Sequence, residues 1–210
     1  METVLILDFG AQYSQLIARR VREQNVYCEV KPCSISPAEI RKIAPIGIIL
    51  SGGPQSVYES VSLHVDPALF SLGIPVLGIC YGCQLMAYSL GGTVAAATEA
   101  TAREYGKTQT EFDSDCAIFQ GLPSTSVTWM SHGDYISEVP AFTVTAKTAV
   151  CPTAAMACPE KKLYGVQFHP EVQHTVQGSE ILRRFLYSVC GASGDWTMAD
   201  YRQTAIRAIR

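Results

Sequence analysis

Nowhere does this chain carry an apolar run approaching the ~20 residues that a membrane-spanning helix needs, so no membrane partner is expected. Charge is also scarce. Only 17% of residues are charged and the net charge is −3, which leaves no electrostatic basis for binding nucleic acid. The N-terminus has no basic region and its apolar run Val4–Leu7 stops at Asp8, so no signal peptide is expected. Internal repeats and low-complexity segments are lacking too, which excludes a solenoid. What is present is a 48% hydrophobic composition over 210 residues, enough for one substantial α/β domain with a packed core.

Cysteine is not scarce: Cys28, Cys33, Cys80, Cys83, Cys116, Cys151, Cys158 and Cys190. An even count can signal a disulfide framework. This chain is too long and too rich in core residues to need one, and it lacks a secretion signal. Reduced thiols in the cytoplasm are expected, most of them as small core residues.

The first half of the chain alternates strand and helix patterns. Val4–Leu7 and Ile46–Leu50 read as buried strands, Val26–Val30 as a further strand and Ile74–Ile79 as the strand that feeds the glycine-flanked Cys80. Gln12–Arg22 is amphipathic through Tyr13, Leu16, Ile17 and Val21, and Pro37–Lys42 carries Pro at a helix first turn. This order predicts a three-layer, doubly wound sheet that is mostly parallel. From about Gly92 to Lys162, short alternating segments (Val127–Met130, Phe142–Thr145, Ala154–Ala157) predict a smaller antiparallel region. Leu163–Phe168 returns to a buried strand and Glu180–Val189 to a helix. The domain is expected to span residues 1–191. Residues 192–210 are expected to form a linker with an amphipathic helix through Tyr201, Ala205, Ile206 and Ile209. One isolated helix of that length is marginal in water, so it should dock on something.

The chemistry concentrates at Gly78-Ile79-Cys80-Tyr81-Gly82, directly after a strand and before a helix pattern. This is a G-x-C-x-G nucleophile elbow. Glycines on either side permit the sharp turn that lifts the central side chain out of the sheet. The sulfur then sits at a helix N-terminus, whose unpaired N–H groups and dipole favour an anion. A thiolate needs a base and the base needs an orienter. Of His64, His132, His169 and His174, His169 stands out in Gln167-Phe168-His169-Pro170-Glu171 at the end of a buried strand. Residues two apart in an extended chain share a side, so Glu171 can hold the His169 ring. Cys80, His169 and Glu171 form a plausible triad. The backbone N–H of Tyr81 and one from Gly52-Gly53 are candidates for an oxyanion hole. Ser51–Pro54 is otherwise a tight turn, and His132 is equally well a loop residue stabilising its turn.

Three other motifs carry less. Cys80-x-x-Cys83 is formally a redox or zinc half-site, but there is only one such pair, so no metal site is expected. Ser51-Gly52-Gly53-Pro54-Gln55-Ser56 has Gln55 where an ATP-pyrophosphatase phosphate loop has Asp, and Pro54 removes a donor. Asp8-Phe9-Gly10 lacks the lysine and catalytic loop of a kinase.

Ser51–Pro54, Gly78–Gln84 and His169–Glu171, in this order, resemble the class I (triad) glutamine amidotransferases, whose fold is flavodoxin-like. The resemblance implies that Cys80 attacks the side-chain amide of glutamine, with His169 as general base and acid and Glu171 as its orienter. It also implies an oxyanion hole from Gly53 and Tyr81, and glutamine contacts from Gln84, Gly133 and Asp134. Cys83 departs from the Met often found there. Asp8–Glu23, Trp129–Asp134 and Gly194–Met198 are similar to the amidotransferase domains of GMP synthetases. For such a domain, ammonia is delivered to the ATP-dependent amination of XMP. ATP and Mg2+ would then belong to an ATP-pyrophosphatase domain or subunit outside these residues, and the full enzyme would be a homodimer. No cofactor is expected here. The alternative is the glutaminase component of a sister enzyme, such as anthranilate synthase or carbamoyl-phosphate synthetase.

Overall fold

The first strand, β1 (Thr3–Asp8), sends alternate side chains to opposite faces of the sheet. Val4 and Ile6 enter one core, and Leu5 and Leu7 the other. A strand buried on both faces belongs at the centre of a three-layer α/β architecture. The computed structural model describes residues 2–10, 12–60, 62–97 and 103–199.

The layers follow from which helix faces are apolar. α1 (Ser14–Glu23) buries Ile17, Ala18 and Val21 in the first core, where α4 (Gly178–Arg184) adds Ile181 and Leu182. α4 runs on into a wider π turn over Phe185–Val189, which keeps Phe185 and Leu186 in the same core. On the other face, α2 (Pro37–Ile43) contributes Ile40 and α3 (Tyr81–Ser89) contributes Leu85 and Met86. The Ser36 hydroxyl accepts from the Glu39 N–H and the Glu39 carboxylate accepts from the Ser36 N–H, a capping box that fixes where α2 starts. Each fully buried Leu, Ile or Phe in these cores is worth about 1.5–3 kcal/mol relative to leaving it in water.

The remaining strands are β2 (Tyr27–Pro32), β3 (Gly47–Leu50), β4 (Val76–Ile79), β5 (Thr93–Ala96), β6 (Glu104–Phe112), β7 (Thr125–His132), β8 (Asp134–Glu138), β9 (Thr143–Lys147), β10 (Ala155–Cys158) and β11 (Leu163–Val166). Among the described residues the main sheet has the order β2-β1-β3-β4-β11-β10-β9-β6-β7. The pairs from β2 to β11 are parallel, and those from β11 to β7 are antiparallel. The antiparallel half is thus continuous with the parallel half, and only β5 and β8 form a separate two-stranded sheet. Sequence patterning does not mark β5, β6 or β8. In β6 most side chains are polar, and burial falls on Glu104, Thr110 and Phe112 instead of on an apolar alternation.

The C-terminal ends of β3, β4 and β11 lie side by side, and the chain leaves them through Ser51–Pro54, Cys80 and Gln167–Glu171. Ligands of open α/β sheets bind at such an edge. Beyond α4, the Ser193 N–H and hydroxyl donate to Glu2, the Trp196 N–H donates to the Asn25 carbonyl, and the Trp196 ring lies 5.9 Å from that of Tyr27. The expected helix through Tyr201, Ala205, Ile206 and Ile209 lies outside the described residues.

Candidate active site

The elbow is built by close approach of backbones. A Cβ on Gly78 would meet the Gly82 carbonyl at 2.6 Å, and one on Gly82 would meet the Leu50 carbonyl at 2.5 Å. With both positions bare, α3 can start against the ends of β3 and β4, and the Gly82 N–H donates to the Ser51 carbonyl at 3.1 Å. Cys80 takes φ 52° and ψ −108°, a conformation L residues rarely adopt, immediately before the helix. The Cys80 N–H donates to the Val166 carbonyl at 2.8 Å, which ties the turn to β11.

His169 leaves β11 beside it. The His169 Nδ1 and Glu171 Oε1 are 2.7 Å apart, and Glu171 is 1% exposed. The backbone around them is fixed. The His169 N–H donates to the Trp129 carbonyl, Thr175 Oγ1 donates to the His169 carbonyl, and Arg20 Nε donates to the Glu171 carbonyl at 2.9 Å. Burial disfavours an imidazolium, but hydrogen bonds with Cys80 and Glu171 outweigh it and raise the His169 pKa to about 11.

Cys80 opens onto a cavity of about 360 Å³ lined by Gly53, Ser56, Tyr81, Gln84, Gly133 and Asp134 among others. All five residues expected for the oxyanion hole and the glutamine contacts are therefore on the walls of one pocket with Cys80. Gln84 is already engaged. Its Nε2 donates to the Asp134 carbonyl and to Gln167 Oε1, each at 3.0 Å, so its Oε1 is the atom left to face a ligand. The Asp134 carboxylate accepts from the hydroxyls of Ser56 and Tyr58, which pins the loop after Gly53 over the cavity. Sequence reasoning misses Gln167, whose Nε2 lies 3.6 Å from the Cys80 sulfur. Gln167 stands two residues before His169, but β11 ends at Val166 and residues 167–171 run through bends and a turn, so the strand expected through Phe168 stops short and its two-residue period is not what places Gln167.

The Cys-x-x-Cys motif resolves into two environments. Cys83 faces the sheet, where its sulfur would lie 2.6 Å from a Cβ on Gly165, and burial raises its thiol well above the ordinary value. Asp8 accepts from the Gly10 N–H and the Ser14 hydroxyl, so Asp8-Phe9-Gly10 is a turn entering α1. A second Cys–His–Glu group exists at Cys151, His132 and Glu104. Burial and the Glu104 charge push the Cys151 thiol up to about 12, and Cys151 is 0% exposed, so this group is no nucleophile.

A doubly wound sheet with a cysteine on an elbow and a His–Glu pair at the next strand end is the arrangement expected of a triad-type cysteine hydrolase. The sequence comparisons narrow this. The family model for glutamine amidotransferase class-I matches residues 5–189, and the chain belongs to that family. It is 55% identical over all 210 residues to a GMP synthase [glutamine-hydrolyzing] of Caldanaerobacter subterraneus subsp. tengcongensis, and 51% identical to that of Geobacillus kaustophilus. It spans about 40% of the length of these curated relatives. Among solved structures, a candidate GMP synthase subunit from Thermoplasma acidophilum is 31% identical, with a TM-score of 0.81 over 98% of both chains. A glutamine amidotransferase from Thermotoga maritima, 20% identical, shares the fold with a TM-score of 0.71 over 91% of this chain and 99% of its own.

Proposed function

We propose that this chain is the glutaminase portion of a glutamine-hydrolysing GMP synthase. The observation that carries the reading is the positive-φ Cys80 beside the 2.7 Å His169–Glu171 pair. The Cys80 sulfur attacks the side-chain amide carbon of glutamine, and the carbonyl π electrons move onto oxygen. The N–H groups of Gly53 and Tyr81 receive that oxyanion. His169 gives its proton to the departing nitrogen, ammonia leaves, and a glutamyl thioester remains on Cys80. Water then attacks the thioester with His169 taking its proton, and glutamate and the free thiol are released. Glu171 keeps the ring oriented and stabilises the imidazolium. Gln84 Oε1, Gly133 and Asp134 hold the amino-acid end of the substrate.

The ammonia would pass to a synthetase portion that binds ATP and Mg2+ and aminates XMP, with residues 192–210 leading towards it from a domain spanning 1–191. The relatives extend well beyond the length of this chain, which supports such a partner. We place the whole enzyme in the cytoplasm as a homodimer. No helix among the described residues is long and apolar enough to cross a membrane. The test is ammonia release from glutamine by the chain mixed with the synthetase portion of a relative. Wild type should support GMP formation from XMP, and Cys80→Ala should do so only with added ammonium salt. Glutamine-dependent GMP formation by Cys80→Ala would overturn the assignment.

A further inference from the structure

Behind the glutamine pocket, Glu104 opens β6 and His132 closes β7, and the two are direct partners across the antiparallel pair. Cys151 comes from the turn after β9. One ligand atom from each residue lies within 4.8 Å of the others, and all three residues are buried. His132 Nδ1 is 2.9 Å from the Asp134 carbonyl. A carbonyl only accepts, so Nδ1 must carry the hydrogen. In the neutral ring, Nε2 then presents a lone pair, and it faces Glu104 Oε2 at 3.5 Å. Neither Nε2 nor Oε2 has a hydrogen-bond partner among the described residues. Two buried acceptors that face each other are satisfied only by a proton or a cation held between them.

We propose that Glu104, His132 and Cys151 bind a zinc-type divalent cation that braces the substrate-binding turn. Bonds of about 2.0–2.2 Å to nitrogen and oxygen and about 2.3 Å to sulfur set tetrahedral ligand separations of roughly 3.3–3.6 Å, close to the Nε2–Oε2 spacing. The supporting contacts that zinc ligands usually have are in place. The second ring nitrogen of His132 donates to a backbone carbonyl, and Glu104 Oε1 accepts from Thr148 Oγ1 at 2.7 Å. Thr148 Oγ1 also accepts from the Cys151 N–H, which ties the sulfur's own turn to the site. Binding displaces the Cys151 proton to solvent. The charges of cation, thiolate and carboxylate then sum to zero, as a buried site demands. Among the described residues no fourth His, Cys, Asp or Glu joins the group, so a water completes the shell. The bound ion would fix the His132 ring, and through it the Asp134 carbonyl that receives Gln84. A search for paired Cys-x-x-Cys motifs misses this site because its ligands come from three separate segments.

The test is metal analysis of the full chain produced in zinc-supplemented medium and desalted over a weak chelator, with Cys80→Ser and Cys151→Ser beside it. Stoichiometric zinc is expected in wild type and Cys80→Ser, and none in Cys151→Ser. X-ray absorption at the zinc edge covers the case in which Cys151→Ser does not fold. It should show a single sulfur at about 2.3 Å with lighter ligands at about 2.0–2.2 Å. Stripping the zinc should lower Tm, and restoring it well above Kd should raise Tm by roughly 5–10 °C. A wild-type chain without zinc, zinc lost with Cys80→Ser, zinc retained in Cys151→Ser, or a shell without sulfur would each overturn the proposal.

Discussion

Cys80 is held in a backbone conformation that favours glycine, and such positions cost about 1–3 kcal/mol unless the surroundings enforce them. The elbow thus gives up stability to present the sulfur. Replacing Cys80 by glycine should relieve the strain, and replacing it by alanine should not. Cys80→Gly is expected to be more stable than Cys80→Ala by about 1 kcal/mol in urea denaturation, the reverse of helix propensity, with both inactive. Equal stabilities would mean the turn is unstrained. His169 provides a second test at this scale. Its folded pKa is raised from 6.5 to about 11, so its protonation contributes stability that is fully present below about pH 6.5 and is lost as pH rises through about 11. The stability difference between wild type and His169→Asn should therefore shrink across that window. Glu171→Gln, which keeps the shape but not the charge, should lower the His169 pKa in a histidine NMR titration. It should also cut glutaminase kcat by roughly 10²–10⁴-fold, as loss of a triad carboxylate does elsewhere.

At the scale of elements, the site depends on how closely strand ends and one helix can approach. Gly82→Ala places a Cβ 2.5 Å from the Leu50 carbonyl, and backbone cannot yield as a flexible side chain would. It should cost about 1–3 kcal/mol and also lower kcat, because β3 and α3 must separate. Gly73→Ala is the control. Its φ of +74° makes alanine strained there, but nothing lies within 4 Å, so it should lose about 1 kcal/mol and retain activity. Retained kcat in Gly82→Ala would show that the elbow tolerates displacement. This part of the fold was legible in the sequence for the same reason that it is fragile. Gly78, Cys80, Gly82, His169 and Glu171 are each set by local backbone geometry, and local geometry leaves a short motif.

The less legible features belong to the whole molecule. β6 is held between β7 and β9 with Thr110 hydrogen-bonded to Thr128 across the pair, and a strand stabilised by polar partners carries no hydrophobic period. The hub at Asp134, whose carbonyl serves Gln84 and His132 while its carboxylate holds Ser56 and Tyr58, joins segments far apart in the chain and has no sequence signature. That hub also connects the pocket to the loop after Gly53. A docked synthetase portion that shifts the loop would therefore reset the Gln84 and Asp134 contacts. Glutamine turnover is expected to rise severalfold when a relative's synthetase portion is added, and unchanged turnover would mean the pocket is already set.

The central claim is that Cys80 is the activated thiol of a glutamine site. Burial raises the thiols of Cys28, Cys33, Cys83, Cys116, Cys151 and Cys190, so they should react slowly with an electrophile. The most direct measurement is labelling of the folded chain with an electrophilic glutamine analogue, with and without glutamine, followed by peptide mass mapping. Modification confined to Cys80 and suppressed by glutamine is the predicted result. Label spread over several cysteines, or Cys80 labelling indifferent to glutamine, would contradict the account.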